Sequence, residues 1–191
     1  MTTNTSSTAP AYTSPLLTHR DPDAPALWVG CLAAYNAGTL HGEWMQVSRD
    51  PTEMWEATLE ILQASPEPHA EEWEIMDTDN LPPGISSLDR AAAYVTALEE
   101  LGRADAAGIV AAWVDWRGWD DLSAEHIQDA YLGQFDSVKD YAEQYAEDCG
   151  LLDGLPEKLR PYFDFAAFAR DLELSGDVYE GLHGHLFNGY A

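Results

Sequence analysis

"ALWVGCLAAYNAGTLHGEWMQVSRDPTEMWEATLEIL", residues 26–62, contains a complete supersecondary unit in one uninterrupted run. Its first seven residues and the stretch 42–48, "GEWMQVS", are short, apolar and carry valine and tryptophan, which suits strands. Between them "AAYNAGTLHG" holds the turn formers Asn36, Gly38 and Gly42. A helix then opens at Asp50, a good N-cap. Pro51 fits the first helical position and Glu53 can close a capping box. On that helix Glu53, Glu56 and Glu60 line one side, and Trp55, Leu59 and Leu62 lie away from it. A third β-like run, "EWEIMDT" (72–78), follows. Residues 26–84 therefore read as an N-terminal α+β domain: an antiparallel sheet with one helix.

Working outward, "MTTNTSSTAPAYTSPLLTHRDPDAP" (1–25) is rich in Thr, Ser, Pro and Ala. It has neither a basic start nor an apolar core of signal-peptide length, and is expected as a disordered leader. "TDNLPPGIS" breaks the chain after the third strand. Two Ala-rich helical stretches come next, then "WVDWRGWDDL" with three tryptophans in seven residues. Bases could stack on such a cluster only with cations alongside. Arg117 alone does not supply them, so packing is expected. This segment, 85–125, forms a helical middle domain. In 126–191, "EHIQDAYLGQF" reads as a strand, 136–150 as a helix with Ser137 and Asp140 as its capping box, "YFDFAAFARDLELSG" as a helix from Asp164 to Gly176, and "VYEGLHGHLF" as a last strand. The fold class expected is α+β, an elongated chain of three small domains after the leader.

The charge is one-sided. Asp and Glu number 34 against 9 Lys and Arg, giving −25 and a pI near 4.1, yet 46% of residues are hydrophobic. That is too apolar for a disordered acidic polymer, so the surface of a folded protein must be anionic throughout. Affinity for phosphate needs Lys and Arg, which excludes nucleic acid and anionic membranes as direct ligands. No apolar run reaches the roughly 20 residues of a membrane span. Cys31 and Cys149 fit no paired motif and are expected as reduced thiols of a cytoplasmic protein.

The helix at 136–150 repeats the theme. Wound at about 100° per residue, Asp136, Asp140, Glu143 and Glu147 fall in one stripe. Val138, Tyr141, Ala142, Tyr145 and Cys149 lie opposite, and Lys139 lies to one flank. Solvent faces usually mix signs, because a Glu four residues before a Lys supports the helix. Helix caps account for Asp50, Asp140 and Asp164 only. Adaptation to a salty cytoplasm is a bland reading of the remainder. Carboxylates three or four residues apart, however, rise by about 4.5–6 Å. One strand of duplex DNA presents a phosphate every ~3.4 Å.

Enzymatic motifs are missing. No phosphate-cradling loop or nucleophile elbow occurs. "DTDNLPPGISSL" (77–88) begins like a calcium loop but has Pro82 at the sixth position and Leu88 at the twelfth. "EGLHGH" offers Glu180, His183 and His185, but a carboxylate-bridged metal site needs a second such pair. No metal, cofactor or catalytic residue is expected.

"WVGCLAAYNAGTLHGEWMQV" (28–47), with Tyr35, Asn36, Gly38, Leu40, Gly42 and Trp44, resembles the opening of the ArdA family of antirestriction proteins. "EEWEIMDTDNLP" is similar to that family's acidic strand, ending at Asp77 and Asp79. "LPEKLRPYFDFAAFARDLELSGDV" (155–178) looks like its C-terminal signature, and "SVKDYAEQYAEDCG" sits where the family has a Tyr- and acid-rich helix. The resemblance implies a non-enzymatic homodimer, joined through its C-terminal domain, that mimics bent duplex DNA. It would occupy the DNA-binding groove of type I restriction–modification enzymes. It further implies that Asp136, Asp140, Glu143, Glu147, Asp148, Asp171, Glu173 and Asp177 lie near the dimer centre. Glu53, Glu56, Glu60, Glu71, Glu72, Glu74, Asp77 and Asp79 would form the outer arm. The competing expectation, from charge alone, is an acidic chaperone or scaffold for another basic protein.

Overall fold

In a computed structural model, which describes residues 12–190, the first sheet is built around β1 (Ala26–Cys31). This strand is apolar at nearly every position, and Ala26, Leu27, Val29 and Cys31 are fully buried, as a central strand requires. It pairs antiparallel with β2 (Gly42–Gln46) on one side and β3 (Trp73–Asp79) on the other. The turn expected between β1 and β2 contains a short helix, α2 (Leu32–Asn36). The helix expected after Asp50 is α3 (Pro51–Gln63), which buries Met54, Ala57, Thr58, Ile61 and Leu62. The Asp50 side chain accepts from Thr52 N at 2.8 Å, so the cap is the one expected. The capping box is not. Glu53 accepts instead from Ser48 Oγ (2.6 Å), which in turn accepts from Asp50 N (3.1 Å).

Residues 12–25 correct the expected disordered leader; the part before residue 12 lies outside the described residues. They form a turn of helix, α1 (Pro15–Thr18), and fasten to the sheet unit at both ends. Thr13 N and Oγ1 and Ser14 N donate to the Glu60 carboxylate of α3. The Arg20 guanidinium lies 4.5 Å over the Trp44 ring of β2 and pairs with Asp79 at the end of β3. The composition of this stretch suggests disorder, but its bonds to Glu60 and the contacts of Arg20 with Trp44 and Asp79 seat it on the sheet unit.

Two compact units are present, divided after Thr96, within α4 (Leu88–Leu101). The sequence had placed boundaries after 84 and after 125. In the second unit α5 (Ala106–Arg117) is followed by α6 (Ala124–Ala130), β4 (Tyr131–Gln134), α7 (Val138–Asp148), α8 (Phe165–Ser175), β5 (Val178–Glu180) and β6 (His185–Asn188). The strands form an antiparallel sheet in the order β4-β6-β5. The core formed by α7, α8 and this sheet includes Val138, Ala142, Ala169, Val178 and Leu186.

Two readings of this region need correction or refinement. "EHIQDAYLGQF" is not one strand. Ser123 caps a helix whose Ala124, Ile127 and Ala130 recur every three residues and are buried, and only then does β4 begin. "VYEGLHGHLF" is a hairpin, with a tight turn at residues 182–184 between β5 and β6. Within it Gly184 has φ +75°, and a Cβ there would stand 2.2 Å from the Phe135 carbonyl oxygen. Two of the three tryptophans do pack together. Trp113 is buried against Trp116 and Phe187, and Trp116 stacks on Tyr179 at 4.6 Å. Each such ring pair adds about 0.5–1.5 kcal/mol beyond the area it buries.

Candidate functional site

The candidate site is the acidic surface, and its residues belong to four elements and the segments beside them. On α3, Glu53 and Glu56 are exposed and Glu60 is partly buried. The helical phase that sends Met54, Ala57 and Ile61 into the core sends these three to the opposite side, as the sequence indicated. Trp55 and Leu59 fall on a flank between the two and stay exposed, rather than joining the buried face. Glu60 has the leader as its neighbour. Bonds from the Thr13 hydroxyl and the Thr13 and Ser14 amides hold its carboxyl below the ordinary range.

β3 supplies Glu74 and Asp77, both exposed although three residues apart. Strict alternation would put them on opposite faces. A bulge opposite Trp28 and Val29 resolves this: Asp77 pairs with Trp28 and Ile75 with Val29, so Met76 is the extra residue and the phase slips. The Met76 side chain lies over Gly30, where a Cβ would meet its sulfur at 2.3 Å. β3 is an edge strand, where outward carboxylates also discourage pairing with other chains. Glu71 and Glu72 stand exposed just before it, and Asp79 at its end is engaged by Arg20.

In the second unit α7 carries Asp140, Glu147 and Asp148 exposed and Glu143 partly buried. Asp136 is exposed but precedes the helix, which begins at Val138, so it is not part of the wound stripe. Ser137 caps α7 by accepting from Asp140 N (3.2 Å), and its hydroxyl donates to Asp140 Oδ2 (2.6 Å). The stripe is also less uniform than the sequence implied: Lys139 Nζ reaches Glu143 at 2.7 Å. Tyr145 and Cys149, assigned to the core side, are exposed. The buried line is only as wide as Val138, Ala142 and Ala146, and the Tyr141 and Tyr145 rings stack at its margin. Asp171 and Glu173 are exposed on α8, off its apolar stripe, and Asp177 accepts from Ser175 Oγ at 2.5 Å.

The acids thus sort by what they do locally. Glu53, Glu60, Asp79, Asp140, Glu143 and Asp177 have side-chain partners within their own unit, and Asp77 accepts from the next amide, Thr78 N. Among the described residues, Glu56, Glu71, Glu72, Glu74, Asp136, Glu147, Asp148, Asp171 and Glu173 have none. Sequence reasoning missed Asp115 on α5 and Glu125 and Asp129 on α6, all exposed. The last two sit one turn apart on the solvent side of a segment mistaken for a strand. A helical reading of Ala124, Ile127 and Ala130 would have revealed them.

Of the two histidines of "EGLHGH", His183 is exposed and His185 serves the fold. His185 is buried, its Nδ1 lies 3.0 Å from the Tyr131 hydroxyl, and burial pushes its pKa down. Among the described residues no group of three or more His, Cys, Asp and Glu could hold a metal ion, and no helix is long and apolar enough to cross a membrane. Cys31 is buried and Cys149 exposed, both as free thiols. The surface therefore presents fixed negative charge on two separate α+β frames. A family model described as antirestriction protein (ArdA) matches residues 27–187. No curated protein matches the chain.

Proposed function

The chain belongs to the ArdA family of antirestriction proteins, and we propose that it acts by presenting its acidic surface as a stand-in for the backbone of duplex DNA. The DNA-binding groove of a type I restriction–modification enzyme takes up that surface and is thereby closed to DNA. The protein works as a homodimer joined through its C-terminal region, with no cofactor, metal or catalytic step.

One observation carries this reading. Carboxylates with no local partner stand exposed on both units, while the whole chain offers 9 cations against 34 acids. Such a surface costs stability through self-repulsion, and a groove built from phosphate-gripping Lys and Arg relieves that repulsion on contact. Rows on helices present charge every ~4.5–6 Å, the order of the ~3.4 Å phosphate rise of one strand. Backbone charge positions a protein on DNA whereas base edges specify the site, so one inhibitor of this kind serves against enzymes with different recognition sequences.

The proposal is tested by graded neutralisation. Glu56, Glu71, Glu72 and Glu74 on the first unit, and Glu147, Asp148, Asp171 and Glu173 on the second, are changed to their amides singly and together. Single changes leave inhibition of a purified type I enzyme within about twofold, because each removes one of many screened contacts. Five or more together abolish it. A single carboxylate whose loss removes all inhibition points instead to a discrete site.

A further inference from the structure

The first unit carries a feature that an array of charges does not need. Trp55 is 42% exposed and Leu59 36% exposed, on the flank of α3 between its buried face and its acidic row. Tryptophan is rarely fully buried, but its large apolar area makes an exposed ring a ready contact surface, and Trp is enriched at interfaces. Here it forms the ridge between two grooves. One, of about 590 Å³, is lined by Trp55, Leu59, Leu62 and Ala70, with Glu67 and Glu71 also in its lining. The other, of about 410 Å³, includes Trp73 and Asp89. The Trp73 ring lies 6.1 Å from that of Trp55, tilted by 53°.

We infer that the larger groove receives an arginine side chain of the basic protein that the acidic surface engages. The occupant follows from the chemistry of the walls. Leu59, Leu62 and Ala70 in the lining offer apolar contact to an aliphatic stem, and the exposed indole of Trp55 offers a ring on which a planar cation stacks. Glu67 and Glu71 supply the counter-charge. Arginine alone among side chains joins a three-carbon stem to a flat, weakly hydrated guanidinium that stacks on aromatic rings while bonding carboxylates. Lysine fits the charge but not the stack, and a neutral apolar anchor leaves the two glutamates uncompensated. Protein arginines enter the narrow minor groove of DNA because of its focused negative potential. A groove between α3 and the acidic segment 67–71 offers the same attraction, plus an aromatic face that DNA does not place there.

This inference rests on the proposed reading of the acidic surface, and two measurements separate their failures. The first uses the full-length protein and the Nε1–H resonance of Trp55, assigned by its loss in Trp55→Phe. Titration with the blocked tripeptide acetyl-Gly-Arg-Gly-amide shifts that resonance in a saturable way. The citrulline analogue, neutral and of the same shape, and the lysine peptide do not. Equal shifts with all three peptides, or none up to tens of millimolar, overturn the inference whatever the protein inhibits. The second compares inhibition of a type I enzyme by wild type, Trp55→Ala and Trp55→Phe. Trp55→Ala weakens inhibition about tenfold and leaves its salt dependence unchanged, while Trp55→Phe retains most of it. Wild-type inhibition that Trp55→Ala leaves intact overturns the arginine groove and spares the acidic surface. Arginine-selective titration without any inhibition keeps the groove and removes the proposed target. Circular dichroism of each variant confirms folding, which the exposure of Trp55 favours.

Discussion

Replacing Arg20 by alanine should loosen the first unit and leave the second untouched. Three contributions set the size. The guanidinium sits 4.5 Å over Trp44, a stack of about 0.5–1 kcal/mol at a partly exposed site. Its ion pair with Asp79 joins side chains 29% and 44% exposed, so solvent screening limits it to about 0.2–1 kcal/mol. Against these, Arg20 Nε is buried with no hydrogen-bond partner among the described residues, a cost of about 1 kcal/mol that the truncation removes. The lost packing of the arginine stem over Trp44 restores part of the balance, and the net loss is about 1 kcal/mol. Because the chain has two compact units, a single melting curve does not report on the first unit alone. Amide hydrogen exchange is local: β1 amides should exchange about fivefold faster, and β6 amides at the wild-type rate. A double-mutant cycle with Asp79→Asn should return a coupling of about 0.5 kcal/mol. Unchanged β1 exchange with zero coupling would refute the view that residues 12–25 are part of the folded unit.

Three further outcomes follow from particular contacts. Gly184→Ala should unfold the second sheet locally, at a cost on the order of 3 kcal/mol, because φ +75° and a backbone oxygen 2.2 Å from the new Cβ both oppose it; chemical denaturation followed by near-UV circular dichroism reads this. His185 has a folded pKa below its ordinary 6.5, through burial, with His183 and Arg103 acting in the same direction and Asp105 opposing. The unfolded chain therefore binds the proton first. Stability should be full above about pH 6.5 and fall as pH drops through that value, and His185→Gln should flatten this part of a pH–stability profile. Glu60→Gln should release residues 13–14 from α3, seen as faster exchange of the Ser14 amide, with inhibition changed less than about twofold.

Much of this architecture was legible because the signals were local. Asp50, Pro51, Ser137, Asp164 and Gly176 mark helix ends by chemistry that acts within a few residues, and the structure uses each of them. β1, the most continuously apolar run, became the central strand. What stayed hidden depends on partners far along the chain. The bulge at Met76 answers to Gly30 on a neighbouring strand. The order of residues 12–25 depends on Trp44, Glu60 and Asp79. The helix at Ala124–Ala130 was lost for a different reason, since its seven residues adjoin a true strand and blur two periods into one. Most of the acids named from the sequence are exposed, but the sequence could not separate carboxylates with local partners, such as Glu60 and Glu143, from those without, such as Glu56 and Glu147.

The most direct test of the central claim is a competition titration. A fluorescent duplex carrying the recognition site is bound to a purified type I methyltransferase, and this protein is added at low and at moderate salt. The account predicts displacement of the duplex near one dimer per enzyme, with an affinity that falls as salt rises, as for DNA itself. A folded protein that leaves the duplex bound at low salt contradicts it.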